Sequence, residues 1–170
     1  MAMDIFNLIK IITATLTAVI SIIVGYHVLR LNPKNLLNKW FALFFISSSL
    51  GFLLFTIYHL ILNNSQIIIP LMITTQIFFN LIFISLMMTV FVLDKYEKVA
   101  MSPKYLGTMI VLLIIMSSGY IIWPPTLNLT RYSQGIIDTV TPPPWFITII
   151  IIRAILLIYV VYRYATAKGK

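Results

Sequence analysis

Apolar residues along this chain come in five long blocks, separated by short runs of asparagine, proline and charge. The blocks are about Ile5–Leu29, Trp40–Leu62, Ile67–Leu93, Tyr105–Trp123 and Trp145–Tyr162. A helix rises about 1.5 Å per residue, so each block can cross a hydrocarbon layer of about 30 Å, the longest with tilt. A helix also satisfies its own backbone groups, which an apolar layer demands, and no ten-residue alternation of the barrel kind is present. The pattern predicts an all-α membrane protein: one integral membrane domain over residues 1–170, folded as a five-transmembrane-helix bundle.

Punctuation supports these boundaries. Asn32-Pro33 opens the first connection, Asn63-Asn64-Ser65 closes the second helix and Ser102-Pro103 precedes the fourth. Pro124-Pro125 and Pro142-Pro143-Pro144 bracket the one long connection, because proline lacks a donor and clashes with a preceding turn. Pro70 is expected in the first turn of the third helix. Trp40, Trp123 and Trp145, with Tyr26, Tyr58, Tyr96, Tyr105 and Tyr162, fall at block ends as an interfacial aromatic belt. Thr13, Thr15 and Thr17, Ser47–Ser49 with Gly51, and Ser117–Gly119 read as small faces for close helix approach, and Met87 and Met88 as packing.

Composition narrows the class. Of the 170 residues 61% are hydrophobic and 9% charged, with mean hydropathy +1.02. Soluble domains carry about a quarter charged residues, so a soluble globular domain and a disordered chain are both excluded. No room remains for a separate soluble catalytic domain. Asp4 stands where a signal peptide would be basic, and the first block reads as a retained span. The chain has no cysteine, which excludes disulfides, thiolate metal sites and a cysteine nucleophile.

The net charge of +8 is distributed unevenly. Arg30, Lys34, Lys39, Lys95, Lys98, Lys104, Arg163, Lys168 and Lys170 fall on one side, and Lys10 and Arg131 on the other. The positive-inside rule then predicts the N-terminus outside and the C-terminus inside a multi-pass protein of the plasma membrane. The charge is thus a topology signal with some attraction for anionic lipid, and no nucleic-acid partner is expected.

Candidate chemistry is sparse. Asp4, Asp94, Glu97 and Asp138 all fall at block borders or in connections, so no carboxylate pair, proton relay or carboxylate metal site forms within a span. His27 and His59 differ in depth by roughly 25 Å and cannot share a metal within the chain. Each reads as an interfacial or packed histidine, with ligation completed by another subunit as the alternative. No nucleophile elbow, S-x-x-K pattern or Gly-rich phosphate loop is present. No catalytic, cofactor or metal site is expected, and the chain is not an enzyme by itself.

Arg153 is the sharpest residue. It lies eight positions into the fifth block, about 12 Å below the outer border. A guanidinium at a helix centre costs roughly 2.5–3.5 kcal/mol on insertion scales. Gln76 and Asn80, four apart on one face of the third helix, are its expected partners in an intramembrane polar cluster or subunit interface. The alternative is an arginine that reaches along its stem to the outer border. The outer connection 124–144 carries Asn128, Arg131, Tyr132 and Asp138, and reads either as a docking loop or as a solvated one. Sequons occur at Asn63 and Asn128, and Asn128 is the better placed for glycosylation.

The segment Arg30–Leu60 has Arg30, then Asn32, Pro33, Asn35 and Asn38, then a helix beginning with aromatic and small residues. It resembles the start of the seven-helix membrane input module found at the N-terminus of some histidine kinases and related sensors. The resemblance covers about a fifth of the chain, and implies an outside N-terminus and an inner turn at those residues. Five helices stand here where that module has seven, and the tail after Tyr164 holds no phosphoacceptor or nucleotide-binding domain. The resemblance therefore implies a reduced module that signals through a partner.

Three readings follow. The first is a non-catalytic accessory or scaffold subunit of a larger membrane enzyme complex, partnered by other membrane protein subunits and lipid, with no cofactor. The second is the reduced sensor-like input module. The third is a small transporter, for which only Arg153 and the Asn80 region would qualify.

Overall fold

A computed structural model describes residues 5–60, 64–95 and 100–167. Asp4, Asn63, Tyr96, Glu97, Lys98, Lys168 and Lys170 lie outside the described residues. The elements are α1 (Ile5–Leu31), α2 (Leu36–Leu60), α3 (Ser65–Lys95) and α4 (Pro103–Ile122). An insertion of β1 (Thr126–Leu127), α5 (Leu129–Ser133) and β2 (Thr139–Val140) follows, and then α6 (Pro143–Ala167). α1, α2, α3, α4 and α6 are long and apolar enough to cross a membrane. The described chain is an all-α bundle apart from one two-residue ribbon, in which Thr126 faces Val140.

The helices outrun the apolar blocks. α1 continues to Leu31, α2 begins at Leu36 rather than Trp40, and α3 runs from Ser65 to Lys95. Apolar side chains mark the hydrocarbon layer, whereas backbone hydrogen bonding carries on into the polar border until a cap stops it. For α2 that cap is Asn35, whose carbonyl accepts Lys39 N at 3.2 Å and whose Oδ1 accepts Leu37 N at 2.8 Å. Because α3 starts early, Pro70 sits in its second turn, where it withholds one ladder donor. Pro143 and Pro144 open α6 instead of preceding it: the missing donors cost nothing in a first turn, and Pro142 O accepts Phe146 N at 3.0 Å. The 124–144 connection, expected as a docking or a solvated loop, holds both the ribbon and α5, as its own backbone bonds allow.

Contacts give the order of packing. Thr15 meets Thr56 at 3.2 Å and Ser21 meets Ser48 at 3.3 Å, so α2 returns antiparallel to α1. The shared face is small: Ala14, Ala18, Ser21 and Gly25 recur at helical spacing and are buried. Gly51 of α2 lies against Phe79 of α3, and Phe91 of α3 meets Tyr105 of α4 with ring centroids 5.1 Å apart. α3 touches α2, α4, α6 and β1, and so forms the centre of the bundle. The larger core cluster joins α3 (Ile84, Met88), α4 (Met116, Tyr120) and α6 (Trp145, Ile149). Trp145, expected in the interfacial belt, is instead buried at 7% exposure, because the absence of a side chain at Gly119 leaves its indole room to lie flat on α4.

Alternating helix directions collect the 31–36 turn, the end of α3, the start of α4 and the end of α6 at one end of the bundle. That end carries Arg30, Lys34, Lys39, Lys95, Lys104 and Arg163 with Asp94 among the described residues, while Lys10, Arg131 and Asp138 lie at the other.

A Cβ at Gly119 would fall inside the Trp145 ring, whereas one at Gly107 meets nothing within 4 Å. Gly119→Ala should lower the melting temperature of the detergent-solubilised protein, through an overpacking cost of about 1–3 kcal/mol. Gly107→Ala should leave it unchanged or raise it slightly, since alanine favours a helix interior. Equal melting temperatures for the two variants would contradict this packing.

Candidate functional site

Gln76 and Asn80 stand one turn apart on α3, on the side that α6 covers. Arg153 lies about 15 Å along α6, near the middle of a helix about 37 Å long. α6 runs parallel to α3, and this register lays the guanidinium across both amides. Asn80 Oδ1 accepts Arg153 Nε at 3.1 Å and Nη2 at 2.6 Å. Gln76 Oε1 accepts Nη2 at 3.0 Å and also the Tyr120 hydroxyl at 3.1 Å. The Arg153 guanidinium carbon lies 5.8 Å from the Phe83 ring centroid, within reach of a cation–π contact.

Asn80 is fully buried, and each of its hydrogen-bonding positions is occupied. Its Nδ2 donates to Met116 O at 2.9 Å and to Ser117 Oγ at 3.3 Å. α4 therefore holds the amide by its nitrogen and aims its oxygen at the cation. Among the described residues the guanidinium is hydrogen-bonded by neutral groups alone. The two described carboxylates are engaged elsewhere, Asp94 by Arg163 and Asp138 by Arg131. Arg153 Nη1 has no hydrogen-bond partner among the described residues. Chemically this is a fixed positive charge with one donor face free, suited to holding a carboxylate or another anion.

The structure thus brings Arg153, Gln76 and Asn80 together inside the bundle and adds Tyr120 and Ser117, which sequence reasoning missed. Their spacing of three residues on α4 was the available signal. A second polar tie was also missed. At the basic end Arg163 Nε donates to Asp94 Oδ2 at 2.7 Å, and Thr89 Oγ1 lies 2.8 Å from Tyr164 Oη. Opposite charges expected at the same end pointed to that pair.

The residues of the 124–144 connection turn inward onto their own chain. Asn128 Oδ1 accepts Arg131 N at 3.3 Å and caps α5, Asn128 N donates to Asp138 O at 2.9 Å, and Arg131 pairs with Asp138 at 3.3 Å. Tyr132 and Leu127 pack with buried Ile137 against Tyr58, Ile68 and Met72. The insertion is a lid seated on the ends of α2 and α3. Gly135, with φ 79°, makes the left-handed turn that returns the chain to β2.

The 30–38 turn also has structural work. Asn32 Oδ1 accepts Lys34 N and Asn35 N, both at 3.2 Å, and Asn32 O accepts Asn38 Nδ2 at 3.4 Å. Pro33 and Arg30 are exposed beside it. His59 is buried, with Nδ1 2.8 Å from Phe55 O, while His27 is exposed at the opposite end. No group of three histidines or carboxylates is close enough to hold a metal ion among the described residues.

No family model matches this chain, and neither curated proteins nor solved structures contain a significant match.

Arg153→Leu and Asn80→Leu should each lower thermal stability in detergent, and the double variant should lose less than the two losses added. A coupling of about 0.6–1.7 kcal/mol is expected for hydrogen bonds in a membrane bundle. Strict additivity would mean that the two side chains do not interact.

Proposed function

We propose that this chain is a non-catalytic accessory or scaffold subunit of a larger assembly in the plasma membrane, with its N-terminus outside and its C-terminus inside. The observation that supports it is Arg153: a full charge in mid-bundle, cradled by amides, matched by no described carboxylate and offering Nη1. A carboxylate on a neighbouring membrane protein would complete it. Removing one partner of such a pair leaves a buried charge unmatched, so the contact would be specific as well as favourable. A second copy of this chain is a poor source, since its described acids stand at helix ends or in the lid.

A second reading, the reduced sensor-like module, draws on one arrangement. The lid rests on Met72, one turn along α3 from Gln76, so movement of the insertion has a short path to the polar cluster.

Mild-detergent purification at native expression separates the two. The subunit reading expects another membrane protein at fixed stoichiometry, lost in Arg153→Leu while the variant still accumulates in membranes. A monodisperse monomer or homodimer from the unaltered protein overturns it. For orientation, a C-terminal reporter should be active only on the cytoplasmic side, and activity outside the cell would reverse the assignment.

A further inference from the structure

The seam between α1 and α2 opens into an apolar groove near the 31–36 turn. It has a volume of about 430 Å³ and is lined by Ile22, Ile23, Tyr26, His27, Leu29 and Ile46. Beside it the two helices pack closely, since a Cβ on Gly25 would stand 3.0 Å from Phe45 Cβ and 3.6 Å from Ile46 Cγ1. Ile22, Ile23 and Tyr26 are 44%, 51% and 59% exposed, so the groove faces outward along the bundle.

Helical periodicity places a cation at the end of each wall. Arg30 follows Ile23 by seven residues on α1, and Lys39 precedes Ile46 by seven on α2, which is two turns in each case. Both are exposed, and neither makes an ion pair among the described residues. Lys34 in the turn between them is also exposed and makes no ion pair among the described residues. An apolar trough two turns long thus ends in three cations without an ion pair among the described residues, and an exposed His27.

We propose that this groove binds an anionic phospholipid, its acyl chain against Ile22, Ile23 and Ile46 and its phosphate between Arg30 and Lys39. The apolar length selects a lipid over a soluble phosphate, and the unpaired cations select an anionic head group over a zwitterionic one. The site is formed by α1 and α2, whereas the Arg153 cluster is formed by α3, α4 and α6, and it does not depend on the subunit reading.

Native mass spectrometry of the purified protein, titrated with phosphatidylglycerol or with phosphatidylcholine of the same chains, tests it. One phosphatidylglycerol should be retained in preference. Arg30→Gln and Lys39→Gln should each weaken that binding about fivefold, at about 1 kcal/mol per cation. Lys95→Gln with Lys104→Gln, at the same end of the bundle, should leave it unchanged. Ile46→Trp should weaken it by filling the groove with both cations intact, and glycerol phosphate alone should not compete. Equal retention of the two lipids overturns the proposal. So does preference that survives loss of Arg30 and Lys39 in variants with unaltered circular dichroism, or competition by glycerol phosphate.

Discussion

A guanidinium near the middle of a long apolar helix needs polar partners, and the bundle supplies them from within. Asn80 supplies one oxygen to two of the guanidinium nitrogens, and it can do so only because α4 takes both hydrogens of its amide nitrogen. Gln76 is held differently: the Tyr120 hydroxyl donates to the same Oε1 that accepts from Arg153. Three helices are therefore held at one depth by a single hydrogen-bonded set. In a hydrocarbon solvent apolar side chains gain little by leaving lipid for one another, so polar contacts of this kind set which helices meet and in which register.

The seam between α3 and α6 shows the same logic along its length. Following α3, Gln76 and Asn80 meet Arg153, Thr89 meets Tyr164, and Asp94 meets Arg163, the last two partners being neighbours near the end of α6. A one-turn slip would break all three ties together. These helices are not neighbours in sequence, and the chain reaches α6 only after α4 and the lid. Ile137 and Tyr132 seat that lid on α2 and α3, which fixes where α6 begins. The α1–α2 pair is built differently: alanine, serine and glycine bring the backbones close, with two light hydroxyl contacts between them.

The five helices were legible because lipid imposes one pattern, a long apolar run that satisfies its own backbone. The pairing of Arg153 with Gln76 and Asn80 was legible for a related reason: a charge at that depth must find polar groups at its own depth, and α3 had two on one face. What was not legible depended on register between helices. Tyr120 and Ser117 join the cluster only once α4 is aligned on α3. Trp145 looked like an interfacial anchor by position, yet the space over Gly119 draws it inward. The ribbon and α5 within the lid were not legible because β1, β2 and α5 are too short for any periodic signal. Their stability comes from Ile137 packing and from the Asn128 cap rather than from propensity.

The choice of amides over a carboxylate at positions 76 and 80 has its own consequence. An acid there would neutralise Arg153 inside the chain and leave a closed ion pair. Asparagine and glutamine instead lower the cost of burying the charge without cancelling it, since their dipoles solvate but carry no opposite charge. The field of the guanidinium persists at its free Nη1 face, in surroundings of low dielectric where Coulomb attraction is strong. Such a cradle keeps the cation in place in the absence of an anion and still favours one when it arrives. It is this remaining attraction that the proposed subunit reading draws on, since a carboxylate from a neighbouring membrane protein would meet it.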